Sequence, residues 1–525
     1  MSRFSLALMA GFVLLATWGY ADSRPPLRSA QVEAARIAPP KAPADAKPAL
    51  SHFSDLRVGQ RKKLEAMLTR EVQQTVDKIG RLDGQKINVS VYAKVDQEKD
   101  KVDLYFDLGF LPKINGGEWE DQSGVIDNLL YYLLSDHFVF RGTRFLFDGK
   151  EIEYYYPDPA IKGEKKVLGP IGRKTETPLV VVSPGHGWYY NYEKNAWALQ
   201  RDPYNGVTED LLTPVYADEL AGLLAARSQV SVENDVRSHR QDMFPRSQKP
   251  WNQMAARYNL QDRFPLNLDI CCSFRNKPDY PLKEYDNDIR SRPLLANHLN
   301  ASALISLHSN AFTDPAVRGT RVYVYGGRAD STELATKILC SMKEEIHANS
   351  MYADFPVGSL PSDGNHGENR LAQMPSVIVE TAFHTNPQDA AALLDPAFRL
   401  AAMKGVEKGY RLFRDNKPCV PLAITAIPNA QGPHKTDIPI SVYFSGNPQF
   451  PINVKTTTIA CPAGWTCINY STNFSQETSS PVTFNVRCDA PSNIPTATFG
   501  VRTVITDADG VLSNSFDHQY TCQKP

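Results

Sequence analysis

Between residues 178 and 416, short apolar segments alternate with amphipathic helical patterns, and this alternation constrains the fold more than any other feature. Short runs rich in apolar residues predict strands, and apolar residues spaced three and four positions apart predict helices. Such alternation is typical of an α/β domain with a largely parallel sheet. The predicted strands are 179–182, 230–236, 303–307, 322–325 and 377–379, and the predicted helices are 209–226, 291–300, 331–347 and 387–413.

Imidazole and carboxylate side chains stand at the ends of these segments. His186 follows the first strand on a Pro-Gly turn, His308 closes the strand at 303–307, and Glu380 ends the last strand. Glu209 opens a helix directly after Thr208, a good N-cap residue. Because ligands of open α/β sheets bind beyond the carboxyl ends of the strands, we expect all four side chains to meet at one edge.

This set of residue types predicts a metal site. Two neutral imidazoles and one carboxylate can hold Zn²⁺ with a fourth position open to water, and a further carboxylate can carry protons. Taken singly, a histidine at a strand end is more often a packed, hydrogen-bonded residue, and Glu209 can simply complement its helix dipole. Glu380 directly follows Val-Ile-Val, where an unpaired carboxylate is costly to bury. Together the four residues predict a zinc hydrolase.

Four motifs carry a family resemblance between residues 179 and 412. They are Ser183-Pro-Gly-His186-Gly187, Thr208-Glu209, Ile305-Ser-Leu-His308-Ser-Asn310-Ala311 and Pro375-Ser-Val-Ile-Val-Glu380-Thr-Ala-Phe383-His-Thr-Asn386-Pro387. In this order they resemble the zinc-dependent N-acetylmuramoyl-L-alanine amidases of bacteria. Two departures from the family pattern are Ser183, where an Asp is common, and Trp188, where a small residue is usual. Neither removes a candidate ligand.

The resemblance implies both a fold and a reaction. The fold would be a mixed, mostly parallel sheet flanked by helices, of the phosphorylase/hydrolase-like kind. His186, Glu209 and His308 would be the ligands of Zn²⁺, and Glu380 would be the catalytic acid and base. The substrate would be peptidoglycan, cleaved at the amide between N-acetylmuramic acid and L-alanine.

Other segments predict an exported, multidomain chain. A basic start, an apolar run from residue 4 to 20 and small residues before Asp22 predict a signal peptide over residues 1–21. An uncleaved anchor is the alternative, but the run is short for a membrane span. We therefore expect a periplasmic or extracellular protein without stable membrane insertion after cleavage. A Pro/Ala-rich linker (22–50), an α+β accessory domain (51–157), the zinc amidase domain (178–416) and a β-sandwich (420–525) would follow.

Cysteine usage agrees with export, because five of the eight cysteines lie after residue 418, where a small domain gains from disulfides. We favour the pairs Cys461 with Cys467 and Cys488 with Cys522. A second metal site is the alternative, which the absence of a Cys-x-x-Cys pair disfavours. A polar stretch at 241–288 without clear periodicity is the candidate for a lid, and a simple surface excursion is an equal alternative.

Several functional alternatives remain at the level of sequence. The net charge of −1 gives no support for a nucleic-acid partner. The flanking domains would bind wall polymer or position the enzyme. A zinc amidohydrolase or carboxypeptidase acting on a small peptide or acyl amino acid shares the same chemistry, and a narrow groove would favour it. An open groove lined by Trp188 and its neighbouring tyrosines would favour polymer, and a wall-binding protein without activity is the third alternative. We expect His239, His366 and His384 to be solvated loop residues, and contact with the substrate is the alternative for each.

Overall fold

The computed structural model describes residues 50–158, 177–489 and 495–524. The predicted signal peptide at 1–21 and the predicted linker up to residue 49 lie outside the described residues. From Leu50 onward the chain packs as one unit, with separate hydrophobic clusters in its N-terminal, central and C-terminal parts. Within these ranges, no helix has the length and apolarity needed to cross a membrane.

The N-terminal part is a three-stranded sheet packed against helices. Its elements are β1 (Val91–Asp96), β2 (Lys101–Phe106), β3 (Thr143–Phe147), α1 (Val58–Lys78), α2 (Gly117–Leu134) and α3 (Ile152–Tyr155). The strands lie in the order β1-β2-β3, with β1 antiparallel and β3 parallel to β2. The segment around Tyr154 forms the short helix α3 and lies outside the sheet. A tight turn from Phe147 to Lys150 carries the chain off the sheet, and the hydroxyl of Tyr155 donates back to the carbonyl of Phe147.

The central part contains a six-stranded sheet with helices packed against it. Its strands are β4 (Leu179–Pro184), β5 (Tyr189–Asn191), β6 (Ala196–Ala198), β7 (Ser231–Glu233), β8 (Met243–Phe244), β9 (Lys249–Pro250), β10 (Ala303–Asn310), β11 (Arg321–Val324), β12 (Ser362–Asp363) and β13 (Ser376–Phe383). Its helices are α4 (Glu209–Arg227), α5 (Ala256–Arg263), α6 (Lys283–His298), α7 (Ala329–Ala348), α8 (Gly367–Leu371), α9 (Pro387–Leu394) and α10 (Pro396–Arg414). The order β12-β11-β13-β10-β4-β7 has one antiparallel pair, β11 with β13. The predicted mixed, mostly parallel sheet is confirmed.

Two helix predictions differ from the structure. The helix predicted at 291–300 begins earlier, at Lys283. Its first turns were missed because Asp286, Asp288 and Arg292 are buried in polar contacts, so the sequence there lacks an amphipathic pattern. The helix predicted at 387–413 is divided into α9 and α10. Asp395 accepts a hydrogen bond from the backbone of Ala397 and Pro396 occupies the first position of α10, so a new helix begins there.

The C-terminal part is a β-sandwich, as predicted. Its strands are β14 (Ala423–Ala426), β15 (Ala430–Pro433), β16 (Asp437–Ser445), β17 (Ile452–Ala460), β18 (Tyr470–Phe474), β19 (Val482–Arg487), β20 (Ala497–Thr506) and β21 (Phe516–Gln523). They form the sheets β14-β16-β19 and β15-β21-β20-β17-β18, whose buried faces share one hydrophobic cluster. The domain boundaries drawn from sequence stay a prediction.

Disulfides join parts of this C-terminal region and tie it to the centre. The predicted pairs Cys461–Cys467 and Cys488–Cys522 are confirmed. A third disulfide, Cys340–Cys419, links α7 to the segment after α10 and was not predicted. Its partners are 79 residues apart, and sequence alone does not bring them together. Cys271 and Cys272 are buried thiols.

Candidate metal centre

The four predicted side chains converge at the carboxyl end of the central strands. β4 and β13 both pair in parallel with β10, so His186 and Glu380 arrive beside His308, which is the register partner of Glu380. Glu209 reaches the same place from the first turn of α4. A Cβ on Gly185 would stand 2.5 Å from the ring of His308. The glycine therefore permits the close approach of the two imidazoles.

Three of these residues offer their ligand atoms to one point. His186 Nε2 lies 3.0 Å from His308 Nδ1, and each of these nitrogens lies 3.3 Å from Glu209 Oε1. Tetrahedral bonds of about 2.0–2.2 Å separate ligand atoms by about 3.3–3.6 Å, so two sides of the triangle match one metal ion and the third is slightly short. All three side chains are buried, with exposures of 8% or less. The donor set and its geometry therefore suit a buried metal site.

Two acceptors orient the imidazoles. The Nδ1 atom of His186 lies 2.9 Å from Gln200 Oε1, and the Nε2 atom of His308 lies 3.2 Å from Glu368 Oε1. Because both oxygens can only accept, each ring donates N–H there and presents its other nitrogen as a lone pair to the metal position. Gln200 itself donates to Asp288. Sequence reasoning missed Gln200 and Glu368, since neither ends a strand.

The charges at the centre favour a cation. Burial raises the pKa of Glu209, but the imidazoles of His186 and His308 outweigh it and hold this pKa well below its usual range. Burial lowers the pKa of His308, yet Glu368 and the other carboxylates raise it to about 10. Without an ion the cluster retains this proton because it carries excess negative charge. A divalent cation could neutralise that charge in place of the proton, which would leave the Nδ1 atom of His308 free to bind it.

Glu380 stands beside the triangle without belonging to it. Its Oε2 atom is buried and has no hydrogen-bond partner among the described residues. Burial raises the pKa of this carboxyl to about 7, with His308 opposing and Glu209 reinforcing the increase. A carboxyl that holds its proton near neutral pH, with one oxygen unengaged, can accept and return a proton.

The neighbouring histidines and aromatics differ from expectation. His239 is half-exposed, but His384 is buried on Ser309 and Tyr204, and His366 packs against Tyr323. Burial lowers the pKa of His366 to about 4. The prediction of solvated loop histidines is therefore wrong for these two residues.

The aromatic segment after His186 is only partly exposed, since Trp188 and Tyr190 are half-buried. Tyr189 is buried against Tyr285, and the backbone of Trp188 pairs with Gln253 and Ala255. The predicted insertion at 241–288 includes α5 and the first turn of α6, and it supplies packing partners for this aromatic segment. Arg292 holds the adjoining turn by donating to Ser183 Oγ and to the carbonyl of His186.

The fold and the side-chain set define an α/β protein with one buried candidate metal centre in its described central part. Residues 180–410 match the family model described as N-acetylmuramoyl-L-alanine amidase. These residues are therefore similar to the N-acetylmuramoyl-L-alanine amidase family, and the resemblance inferred from the motifs is confirmed.

Individual relatives are distant. The N-acetylmuramoyl-L-alanine amidase AmiC of Neisseria meningitidis serogroup B is 25% identical over 22% of this chain and 36% of that protein. The germination-specific N-acetylmuramoyl-L-alanine amidase of Bacillus subtilis is 25% identical over 23% of this chain and 48% of that protein. The chain thus spans less than half the length of these curated relatives. A solved N-acetylmuramoyl-L-alanine amidase from Clostridium difficile 630 is 18% identical, with coverage of 46% and 99% and a TM-score of 0.29.

Proposed function

We propose that the protein is an exported, zinc-dependent amidase that hydrolyses the bond between N-acetylmuramic acid and L-alanine in peptidoglycan. The observation that carries the proposal is the triangle of His186 Nε2, Glu209 Oε1 and His308 Nδ1, with Glu380 beside it. The family of residues 180–410 supports the substrate class. The three disulfides support an oxidising compartment outside the cytoplasm.

Each residue has a distinct part in the proposed reaction. His186, Glu209 and His308 would hold the ion, which when bound polarises a carbonyl and acidifies water. Gln200 and Glu368 keep the imidazoles in the tautomers that ligation needs. Glu380 accepts a proton from the attacking water at its carboxylate and returns it to the amine of the departing L-alanine.

The test is digestion of purified peptidoglycan, both intact and after muramidase treatment, with mass spectrometry of the products. We expect stem peptides with a free N-terminal L-alanine, and we expect them to disappear on zinc chelation. Glu380→Gln should lower kcat by about 10²–10⁴-fold while retaining zinc. Glu407→Gln, which changes another buried glutamate away from the site, is the matched control. Zinc-loaded protein that leaves every stem peptide attached in both preparations would refute the proposal.

One observation favours the second candidate, a zinc amidohydrolase or carboxypeptidase acting on a small peptide or acyl amino acid. Helix α2 contacts the edge where the candidate metal centre lies, and a helix held there would narrow the access of a bulky substrate. Cleavage of simple N-acyl-L-alanine peptides at the rate of muropeptides would support this candidate, because such peptides lack the muramic acid.

A further inference from the structure

Helix α2 of the N-terminal part crosses the edge of the central sheet that carries the candidate metal centre. The α2 residues in contact with the central part are 117, 120, 121, 127, 128 and 131. At about 100° per residue these positions fall on one stripe of the helix. The opposite face, which includes Trp119, Ile126 and Leu130, packs into the N-terminal hydrophobic cluster.

The N-terminal end of α2 packs against α6 at backbone contact distance. The N–H of Gly117 donates to Asp286 Oδ1 over 2.8 Å. A Cβ on Gly116 would collide with the carboxylate of Asp286, and one on Gly117 with the ring of Tyr285. Only glycine permits this fit, which has the closeness of a protein interior.

The C-terminal half of α2 is anchored beside the reacting groups. Asp127 accepts from Arg321 Nη2 over 3.0 Å, and Asn128 also accepts from this guanidinium. Arg321 is the register partner of Glu380 on the neighbouring strand. Asn128 donates to Asn310 Oδ1, two residues beyond the ligand His308. These anchors therefore flank the proton-carrying carboxylate and one ligand.

The middle of α2 is held by two further contacts. Glu120 Oε1 accepts from the N–H of Gly367, which directly precedes Glu368, the acceptor of His308. Asp121 pairs with Arg201 over 2.8 Å, next to Gln200, the acceptor of His186. The contacts of α2 thus also reach the residues next to Glu368 and Gln200, the acceptors of the two imidazoles.

Gly124 lies at the centre of the contacting stripe, between these anchors. A Cβ on Gly124 would meet no heavy atom within 4 Å, although the other stripe positions touch the central part. The helix is therefore tied down around the site and leaves clearance beneath its middle.

We propose that α2 is a fixed roof, meaning an immobile cover beside the candidate metal centre. It would restrict the enzyme to soluble peptidoglycan fragments narrow enough to pass beneath the helix. The substrate class is a stem peptide on one or two sugars, in place of the intact cross-linked wall. This inference rests on the proposed amidase function. A helix is about 10 Å across, and α2 is anchored beside Glu380, so it would keep a cross-linked glycan strand away from the candidate metal centre. Ion pairs of Lys101 with Asp363 and of Arg290 with Asp158 hold the same region in place.

The first experiment compares intact sacculi with muramidase-released muropeptides, using the full zinc-loaded chain and counting freed L-alanine termini by mass spectrometry. We expect kcat/KM per amide at least about tenfold higher on muropeptides. Asp127→Arg should repel Arg321, displace the roof and raise the ratio of sacculus to muropeptide cleavage by about tenfold. Equal rates on both substrates in the wild type would overturn the roof and leave the amidase function intact.

The second experiment fills the clearance. Gly124→Trp should lower muropeptide turnover at least about tenfold, with unchanged unfolding temperature and zinc content. Gly222→Trp on α4, where a Cβ also meets no neighbour, is the control and should leave turnover unchanged. Full turnover of muropeptides by Gly124→Trp would overturn the proposal. Muropeptide cleavage that occurs only after Asp127→Arg would also overturn it, because this result would mean that α2 blocks the site completely in the wild type. No cleavage by any variant on either substrate would instead refute the amidase function, and the inference with it.

Discussion

At the scale of single residues, the acceptors behind the imidazoles determine whether the centre can hold a metal. Glu368 is buried and accepts from His308, and its charge is balanced by the nearby Arg292. The imidazole of His308 holds the pKa of Glu368 at about 2, although burial alone would raise it. Glu368 therefore stays ionised and keeps His308 oriented.

We predict that Glu368→Ala weakens zinc binding by about 10–100-fold, because His308 loses the acceptor that fixes its tautomer. Glu368→Gln keeps an accepting oxygen and should recover a large part of the affinity. Competition with a coloured chelator measures both variants. Glu333→Ala, on the surface of α7, is the control. Equal affinities in Glu368→Ala and the wild type would contradict the prediction.

A second residue-scale prediction concerns the pH dependence of stability. Burial raises the pKa of Glu345 to about 7, although Lys408 lies 3.0 Å away and lowers it; Asp507 and Asp509 reinforce the increase. Because the pKa of Glu345 is higher in the folded state, its protonated form stabilises the fold. This contribution to the free energy of unfolding is complete below pH 4.5, the pKa in the unfolded chain, and is lost as the pH rises through about 7.

Glu345→Gln removes this titration. Between pH 5 and pH 8, we expect the stability of the wild type relative to this variant to fall by about 1–3 kcal/mol. Urea unfolding at the two pH values measures the difference. In the exposed-site variant Glu333→Gln, the free energy of unfolding should change with pH in the same way as in the wild type. A Glu345→Gln curve that also stays parallel would show that the carboxyl does not titrate in this range.

At the scale of elements, α10 packs against α7 through two glycines one turn apart. A Cβ on Gly405 or Gly409 would overlap the backbone of Met342 or Ile338, so the two helices approach at backbone distance. We predict that Gly405→Ala destabilises the protein by about 1–3 kcal/mol through overpacking. Gly222→Ala, in open space on α4, should stabilise it by about 0.5–1 kcal/mol. Thermal unfolding distinguishes these opposite signs, and a neutral Gly405→Ala would refute the close packing.

At the scale of the whole molecule, Cys340–Cys419 closes a far longer loop than Cys461–Cys467, with separations of 79 and 6 residues. Because a disulfide limits the unfolded chain more as its loop lengthens, replacing Cys340 and Cys419 by serine should cost about 2–4 kcal/mol. The same replacement of Cys461 and Cys467 should cost about 2 kcal/mol less than the long-loop pair. Urea unfolding without reductant compares the two double variants. A larger loss from the short loop would contradict this account.

Also at this scale, the N-terminal part completes the surroundings of a site whose ligands lie elsewhere in the chain. Arg321 beside Glu380 is buried by Asp127 and Asn128, which precede it by nearly two hundred residues. The amino-acid sequence of the N-terminal part gives no sign of this role, because Asp127 and Asn128 match no motif and the polar face of α2 resembles any solvated helix face.

The α/β class of the central part, the β-sandwich, two disulfides and the four candidate site residues could all be predicted from the amino-acid sequence. These follow from local periodicity and from a general rule, since parallel strands bring their carboxyl ends to one edge. Three features became visible only in the tertiary structure: the contacts of Gln200 and Glu368 with the imidazoles, the pairing of Cys340 with Cys419, and the contacts of α2 beside the candidate metal centre. Each depends on contacts between residues far apart in sequence, which leave no periodic trace in the chain.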